Sequence, residues 1–302
     1  MQNSVKIDRD KFLGGSDIPA IMNMSPFRRR WEVLQEKAGL EVPEFLGNAY
    51  TAYGNAIEGK IRDYVNETYG YHFIESKFEI HGKNLGERGH LDGEDAERDT
   101  VLEVKSTSDI FHTVDEYPHY LSQLLYYMMR KKREYGVLAV YERPEDMSLE
   151  FDPMRLQVWF IKLSDYSDFI ENIKSSITTF KRDCTRLRKN PSLTEESFLP
   201  KKVVQAGRAL LALERKLDEL KALETEEKKR KAQLLSLMEE YGVKSWKTPR
   251  GYTLSYCQGS VSQKFDSKKF KDDYPDLYPQ YVKPSNVSAH IKVTAPKEKS
   301  DE

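Results

Sequence analysis

"GHLDGEDAERDTVLEVKS", residues 89–106, decides how the rest of this chain is read. Apolar and polar residues alternate on either side of a polar turn, which is the pattern of a β-hairpin. In the second arm Leu102 and Val104 are the apolar partners expected on the buried face of a strand. Glu103 and Lys105 alternate with them and share the other face, roughly 6 to 7 Å apart. Asp92, on the first arm, reaches that face across the hairpin. Two carboxylates and a lysine therefore gather on one short piece of sheet.

Outward from this hairpin the chain reads as a mixed α/β domain of about 200 residues. Residues 16–40 carry helical signals: Ser16 or Asp17 can cap, Pro19 lies in the first turn, and Ile18, Ile21 and Met22 follow at helical spacing. After a break at "NMSPF" a second helix is predicted from about Arg30 to Ala38, closed by Gly39. A third is predicted in "AYGNAIEGKIRDYVNETYG", where Ala56, Ile57, Ile61, Tyr64 and Val65 recur at spacings of three and four before Gly70. The period then drops to two through "YHFIESKFEIHG", "RGHLDGE" and "TVLEVKS". A helix in "PHYLSQLLYYMMRKK", strands in "YGVLAVYE" and "RLQVWFIKL", and a helix over 164–188 complete this part.

"KNPSLTEESFLPK" reads as a linker closing a first domain at about residue 200. Residues 201–241 are helical and charged, with Val203, Ala206, Leu210, Leu213, Leu217 and Leu220 on a heptad seam. Glu224, Glu227 and Lys231 then occupy that seam before it returns to Leu234 and Met238, so a continuous coiled coil is excluded. The segment is expected to be one long helix or a helical hairpin bent near "ETEEKKRK". Over 242–302, "GYTLSYC", "KKFKDDYPDLYPQY" and "SAHIKV" predict a small β-α-β appendage with a disordered tail, "APKEKSDE".

Composition narrows the function classes. No apolar run approaches the roughly 18 to 20 residues of a membrane span, and the opening "MQNSVKIDRDKF" lacks the apolar centre of a signal peptide, so a cytoplasmic location is expected. Two cysteines, Cys184 and Cys257, make neither a disulfide framework nor a recognisable metal motif. His81, His90, His112 and His119 form no zinc pattern, and no Walker-type glycine-lysine loop is present. A net charge of −1 leaves nucleic-acid binding open, because an acidic metal site facing a local basic groove can be neutral overall.

An isolated E-x-K on a strand is more often a solvated face with a cross-strand partner. Two further residues weigh against that here. Glu58 lies on a helix among Ala56, Ile57 and Ile61, and Gln123 lies among Leu121, Leu124 and Tyr127. Polar groups in such company need partners. Asp92 and Glu103 together make a hard-oxygen site for Mg²⁺ or Mn²⁺, beside which Lys105 can hold water and stabilise charge on a phosphate. These are the parts for phosphodiester hydrolysis.

Five stretches in order, "LGGSDIPAIMNMSPF", "YGNAIEGKIRDY", "GHLDGE", "LEVKS" and "YLSQLLYYM", resemble the successive motifs of the YqaJ-type viral recombinase nucleases, relatives of phage lambda exonuclease in the PD-(D/E)XK superfamily. The resemblance spans roughly residues 8 to 165. It implies a restriction-endonuclease-like core, a central mixed sheet flanked by helices. It implies Mg²⁺-dependent digestion of one strand of linear duplex DNA from the 5′ end, leaving a 3′ single strand for a single-strand annealing protein in phage-type recombination. Asp92 and Glu103 would be metal ligands with the Val104 carbonyl, and Glu58 would support a second metal. Lys105 would position the nucleophilic water, and Gln123 would orient Lys105 or that water. Ser16 matches the position that binds the terminal 5′ phosphate, with Arg9 or Lys11 assisting. Relatives form rings, so a homo-oligomer, a trimer by resemblance, is expected, in a bacterial host and encoded by a phage or prophage.

Two departures stand out. Asp92 follows His-Leu rather than the usual Pro, and the region where a relative carries an additional acid reads "EIHGKN", with only Glu79 on offer. The iron–sulfur relatives of this fold need four cysteines, twice the number present. Arg28, Arg29 and Arg30 beside Trp31 are either a grip on the DNA backbone or a solvated helix start; "RKKRE" at 130–134 suits the end of a helix. The alternatives are an endonuclease with the same metal site and an inactive DNA-end-binding scaffold for an annealing protein. For residues 202–302, contact with a protein partner or another copy is expected in preference to a clamp on DNA.

Overall fold

The structure is a computed structural model, and it describes residues 8–40, 47–257, 259 and 264–283. The first elements are β1 (Phe12–Gly14), a 3-10 turn at Gly15–Asp17, α1 (Ile18–Ile21), α2 (Arg30–Lys37) and α3 (Ala49–Tyr69). Strands β2 (Ile74–Ile80), β3 (Gly86–Asp95) and β4 (Thr100–Thr107) follow. Then come α4 (Pro118–Lys131), β5 (Tyr135–Glu142), β6 (Leu156–Lys162) and α5 (Ser167–Lys189). Beyond them are α6 (Lys201–Glu240), β7 (Ser245–Lys247), β8 (Thr253–Ser255) and α7 (Ser267–Asp273).

Local chemistry fixes several of these ends. The Asn48 side chain accepts the Thr51 N–H at 2.9 Å and caps α3. Gly70 closes that helix at φ +70°, a left-handed conformation that costs glycine little. Pro118 starts α4, where a missing N–H is harmless.

β1, β3, β4, β5 and β6 are neighbours in that order, and β2 pairs with β3 to make a six-stranded mixed sheet. β4 and β5 run parallel, with Leu102 opposite Val137 and Lys105 opposite Val140, so the chain must cross over between them. α4 is that crossover. One face of the sheet is covered by α3, through Tyr53, Ile57, Ile61 and Val65 against Leu102, Val104, Val137 and Ala139. The other face is covered by α1, α2, α4 and α5 against Leu13, Leu91, Val101, Leu138 and Val140. The hairpin quoted at the outset is therefore the middle of a three-layered core, buried on both faces.

The structure differs from the sequence expectations at both ends. The first helical region is a 3-10 turn and a single helical turn, and an unforeseen strand, β1, precedes it, pairing in parallel with β3 through Leu13 and Glu87. α6 is one continuous helix of 40 residues, not a hairpin bent at 224–231. After it comes an unforeseen strand, β7, antiparallel to β8; β8 and α7 fall where the first strand and the helix of the β-α-β were expected. "SAHIKV" and the tail lie outside the described residues. The chain divides into two units, Met1–Ala209 and Leu210–Glu302, so the boundary falls inside α6 rather than at residue 200. In the second unit the Tyr256 hydroxyl donates to Glu239 at 3.0 Å, tying the β7–β8 hairpin to the end of α6.

Candidate active site

Along β4, Leu102 and Val104 enter the cluster under α3, so alternation turns Glu103 and Lys105 toward the α4 layer. That face is interior, not solvated: Glu103 is 1% exposed. Lys105 Nζ lies 2.6 Å from Glu103 Oε1. The second oxygen, Oε2, is buried without a hydrogen-bond partner among the described residues. A bare carboxylate oxygen in such a place is costly unless something else completes it.

Asp92 reaches this point because β3 is irregular there. Ser76 pairs with Leu91 but Ile74 pairs with Glu94, so two steps on β2 match three on β3. The extra residue re-aims the side chains around Asp92, a familiar use of a bulge. Asp92 Oδ2 accepts the Val104 N–H at 2.7 Å. Val104 thus contacts Asp92 through its amide.

Glu58 approaches from α3. One turn later Arg62 donates to the Asp92 carbonyl at 2.6 Å, to Glu58 Oε1 at 3.4 Å and to Glu75 on β2 at 3.1 Å. The guanidinium fork pins helix to sheet. Both readings of Glu58 hold in part: it pairs with Arg62, as a surface acid would, and it also feels Asp92.

The electrostatics follow from this crowding. Burial, reinforced by the charge of Asp92 and only partly offset by Arg62, pushes Glu58 up to about 7. Burial pushes Glu103 up to about 8, with Lys105 opposing and Asp92 adding to the rise. Asp92 is raised as well, chiefly by burial, against Lys105 and the Val104 N–H. Burial works against the Lys105 charge, but Glu103 and Asp92 outweigh it and hold its pKa above the ordinary lysine value. Three carboxylates that resist joint ionisation form a site that a cation would relieve.

The donor set fits a hard divalent ion such as Mg²⁺ or Mn²⁺: carboxylate oxygens, one of them unpartnered and buried. Among the described residues no three His, Cys, Asp or Glu side chains close into a ready-made cage. Asp92 and Glu103 are the core of the set, and Glu58 acts on them across the site through its charge.

Gln123, on α4, is 8% exposed and donates to the Tyr127 hydroxyl at 3.4 Å rather than being capped by backbone. Tyr127 was missed by sequence reasoning. Burial, followed by the charges of Glu103 and Asp92, raises its pKa well above the usual phenol value. Its side chain also explains Gly15: a Cβ there would fall 2.3 to 2.5 Å from two ring atoms and the hydroxyl oxygen. The turn that presents Ser16 thus lies directly on Tyr127, whose hydroxyl accepts from Gln123. Glu75 was missed too; it pairs with Arg62 and lies 3.5 Å from His90, whereas Glu79 pairs with Arg88 at 3.2 Å. Hence it is Glu75, not Glu79, whose charge helps raise Glu58.

Ser16 itself is exposed. The turn is held from below by Asp17, which is 2% exposed, lies 2.9 Å from Lys37 Nζ and accepts the Gly14 N–H at 2.9 Å. Arg28 donates to Asp17 at 3.4 Å and pairs with Glu36; Arg9 pairs with Glu36 at 3.3 Å, and its carbonyl accepts from Lys37 at 2.8 Å. Lys11 pairs instead with Asp8 at 2.8 Å on the surface. Of the two basic residues expected to assist Ser16, the network supporting the turn includes Arg9 and not Lys11.

No protein-family profile and no curated protein sequence matches the chain. Among solved structures it is similar to a phage-related exonuclease from Haemophilus somnus 129PT, at 16% identity and a TM-score of 0.47, over 60% of this chain and 96% of that one. It is also similar to an alkaline exonuclease, LHK-Exo, from Laribacter hongkongensis, at 17% identity and a TM-score of 0.40, over 61% of this chain and 95% of that one. A complex of LHK-Exo with dAMP matches at 16% identity and a TM-score of 0.41, over the same shares. No described helix is long and apolar enough to cross a membrane.

Proposed function

We propose that the chain is a metal-dependent deoxyribonuclease, and specifically an exonuclease that digests one strand of linear duplex DNA from the 5′ end to leave a 3′ overhang for annealing. One observation carries the reading: a buried, unpartnered Glu103 oxygen set between an ion-paired lysine and a second carboxylate. An isolated surface salt bridge needs none of that burial.

Asp92 and Glu103, with the Val104 carbonyl, would hold Mg²⁺ or Mn²⁺, and Glu58 would support it or a second ion. Bound there, the ion would polarise the phosphodiester and lower the pKa of water. Lys105 spends one N–H on Glu103 and keeps two more for a water or a phosphate oxygen. Gln123 and Tyr127 fix the α4 side of the pocket, and Arg62 fixes the α3 side. Ser16, with Arg9 and Arg28 behind it, would receive the terminal 5′ phosphate. A homo-oligomeric ring, a single-strand annealing partner and a cytoplasmic site of action in a phage-bearing host belong to the same proposal.

The test is a time course on linear duplex DNA labelled at one 5′ end, in Mg²⁺ or EDTA, beside a covalently closed circle. Mg²⁺-dependent release of labelled nucleotides with the circle spared is expected. Lys105→Ala should cut the rate by about 10²-fold or more while keeping DNA binding. A nicked circle would make the chain an endonuclease, and full cleavage by Lys105→Ala would mean that the site is misplaced.

A further inference from the structure

A cleft of about 760 Å³ lies between α2, α5 and the segment that follows α5, apart from the carboxylates. Its lining includes five arginines, Arg28, Arg29, Arg30, Arg182 and Arg186, against two acids, Asp183 and Glu195. Arg30 is tied to Asp183 at 2.7 Å and Arg29 to Glu195 at 3.1 Å. Arg28 is engaged by Asp17 and Glu36, so the surplus of positive charge rests on Arg182 and Arg186. Arg182 reaches Asp183 only at 3.9 Å with its side chain 76% exposed, and Arg186 donates to the Ser197 carbonyl at 2.9 Å and lies over the Phe198 ring. Phe198 packs on Trp31 with ring centroids 5.7 Å apart, so two rings lie together beside the Arg186 guanidinium on the wall.

The loop that enters this cleft also borders the candidate active site. Ser25 Oγ accepts the N–H groups of both Phe27 and Arg28 at 3.2 Å. From that turn Arg28 joins the cleft wall, and Phe27, 82% exposed, stands edge-on to His119 at 6.4 Å. His119 packs on Tyr120 at 3.9 Å, and Lys105 Nζ lies 5.8 Å above the Tyr120 ring. An exposed phenylalanine stands in line between the basic cleft and the catalytic lysine.

Resting on the nuclease reading, we propose that this cleft binds the sugar-phosphate backbone of the undigested DNA strand, single once its partner has been removed, with Phe27 as a stacking post between the cleft and the carboxylate site. Cations beside exposed rings are what a single strand needs, one for phosphates and the other for bases. A cleft of this volume takes a few nucleotides of one strand, not a duplex. The excess of arginine matches a polyanion.

Binding rather than cleavage tests this. Fluorescein-labelled oligo(dT) of twelve residues is titrated in EDTA at several salt concentrations against the full chain, Arg182→Ala/Arg186→Ala, Ser175→Glu and Phe27→Ala. All four positions are exposed, and circular dichroism checks that each variant folds. Loss of two phosphate contacts should flatten the slope of log K against log salt by about 1.4 in the double variant. Ser175→Glu and Phe27→Ala should weaken binding. Unchanged affinity and slope in all variants would overturn the proposal. So would an oligo-glutamate peptide that binds the wild type but not the double variant while oligo(dT) binds both alike, since the cleft would then serve an acidic protein segment. The 5′-label assay in Mg²⁺ separates the two readings: no cleavage by the wild-type chain would sink the nuclease assignment, and the binding titration alone judges the cleft.

Discussion

Asp17 lies beneath the turn that presents Ser16, and its charge is almost wholly removed from water. Burial opposes ionisation, but Lys37, the Gly14 N–H and Arg28 together lower its pKa below the usual aspartate value. Removing one partner of such a pair leaves the other charged and buried, so Asp17→Asn should destabilise the fold by about 3–5 kcal/mol at neutral pH, read as a denaturant midpoint. Because the folded pKa is the lower one, the contribution is present above the unfolded value of about 4 and is lost as pH falls through the folded pKa. The wild-type stability curve should therefore drop below about pH 4 more steeply than that of Asp17→Asn; parallel curves would deny the pair its role. Sequence suggested only a helix cap at this residue, because Lys37 is twenty positions away and nothing local announces the contact. Glu103 and Lys105 were legible, since alternation within one strand puts them together. The burial of Glu103 was not, because it depends on α4 returning over that face.

At the scale of elements, the site exists because α3 and the sheet are held in register by Arg62. Its fork reaches the Asp92 carbonyl, Glu58 and Glu75, so it spans α3, β3 and β2 at once. Groups that orient metal-binding carboxylates without touching the ion commonly change affinity or activity by about 10–100-fold when removed. Arg62→Ala should lower Mg²⁺-dependent cleavage by that factor and shift the Mg²⁺ titration to higher concentration. Arg62→Lys should rescue little, because an ammonium cannot copy the fork. Full activity in Arg62→Ala would show that the helix needs no such pin. The strands and helices from α3 to α5 were readable from period and capping residues. The bulge at Asp92 was not, for a strand pattern fixes alternation but not the count of residues opposite a partner. Nor was β1, three residues long, whose pairing with β3 is set only when the sheet assembles.

For the molecule as a whole, the candidate site and both core clusters lie in the first unit. Both core clusters draw only on residues from Leu13 to Phe198, and the candidate site uses residues from Arg9 to Tyr127. α6 adds little to either: its leucines at 211, 213, 217, 220 and 223 are all exposed, and Met238 is its one buried residue. A chain ending at Pro200 should thus unfold in a single transition, with a midpoint within about 4 °C of the first transition of the full chain, the shift that roughly 1 kcal/mol produces in a domain of this size. It should keep Mg²⁺-dependent cleavage of linear duplex DNA at the wild-type rate per molecule. The measurements are a thermal melt by circular dichroism and the 5′-label assay on the same preparation. A truncated chain that is unfolded would place α6 inside the core. One that is folded but inactive would mean that the second unit supplies something the reaction needs, and the carboxylates, Lys105 and Gln123 would not suffice for catalysis.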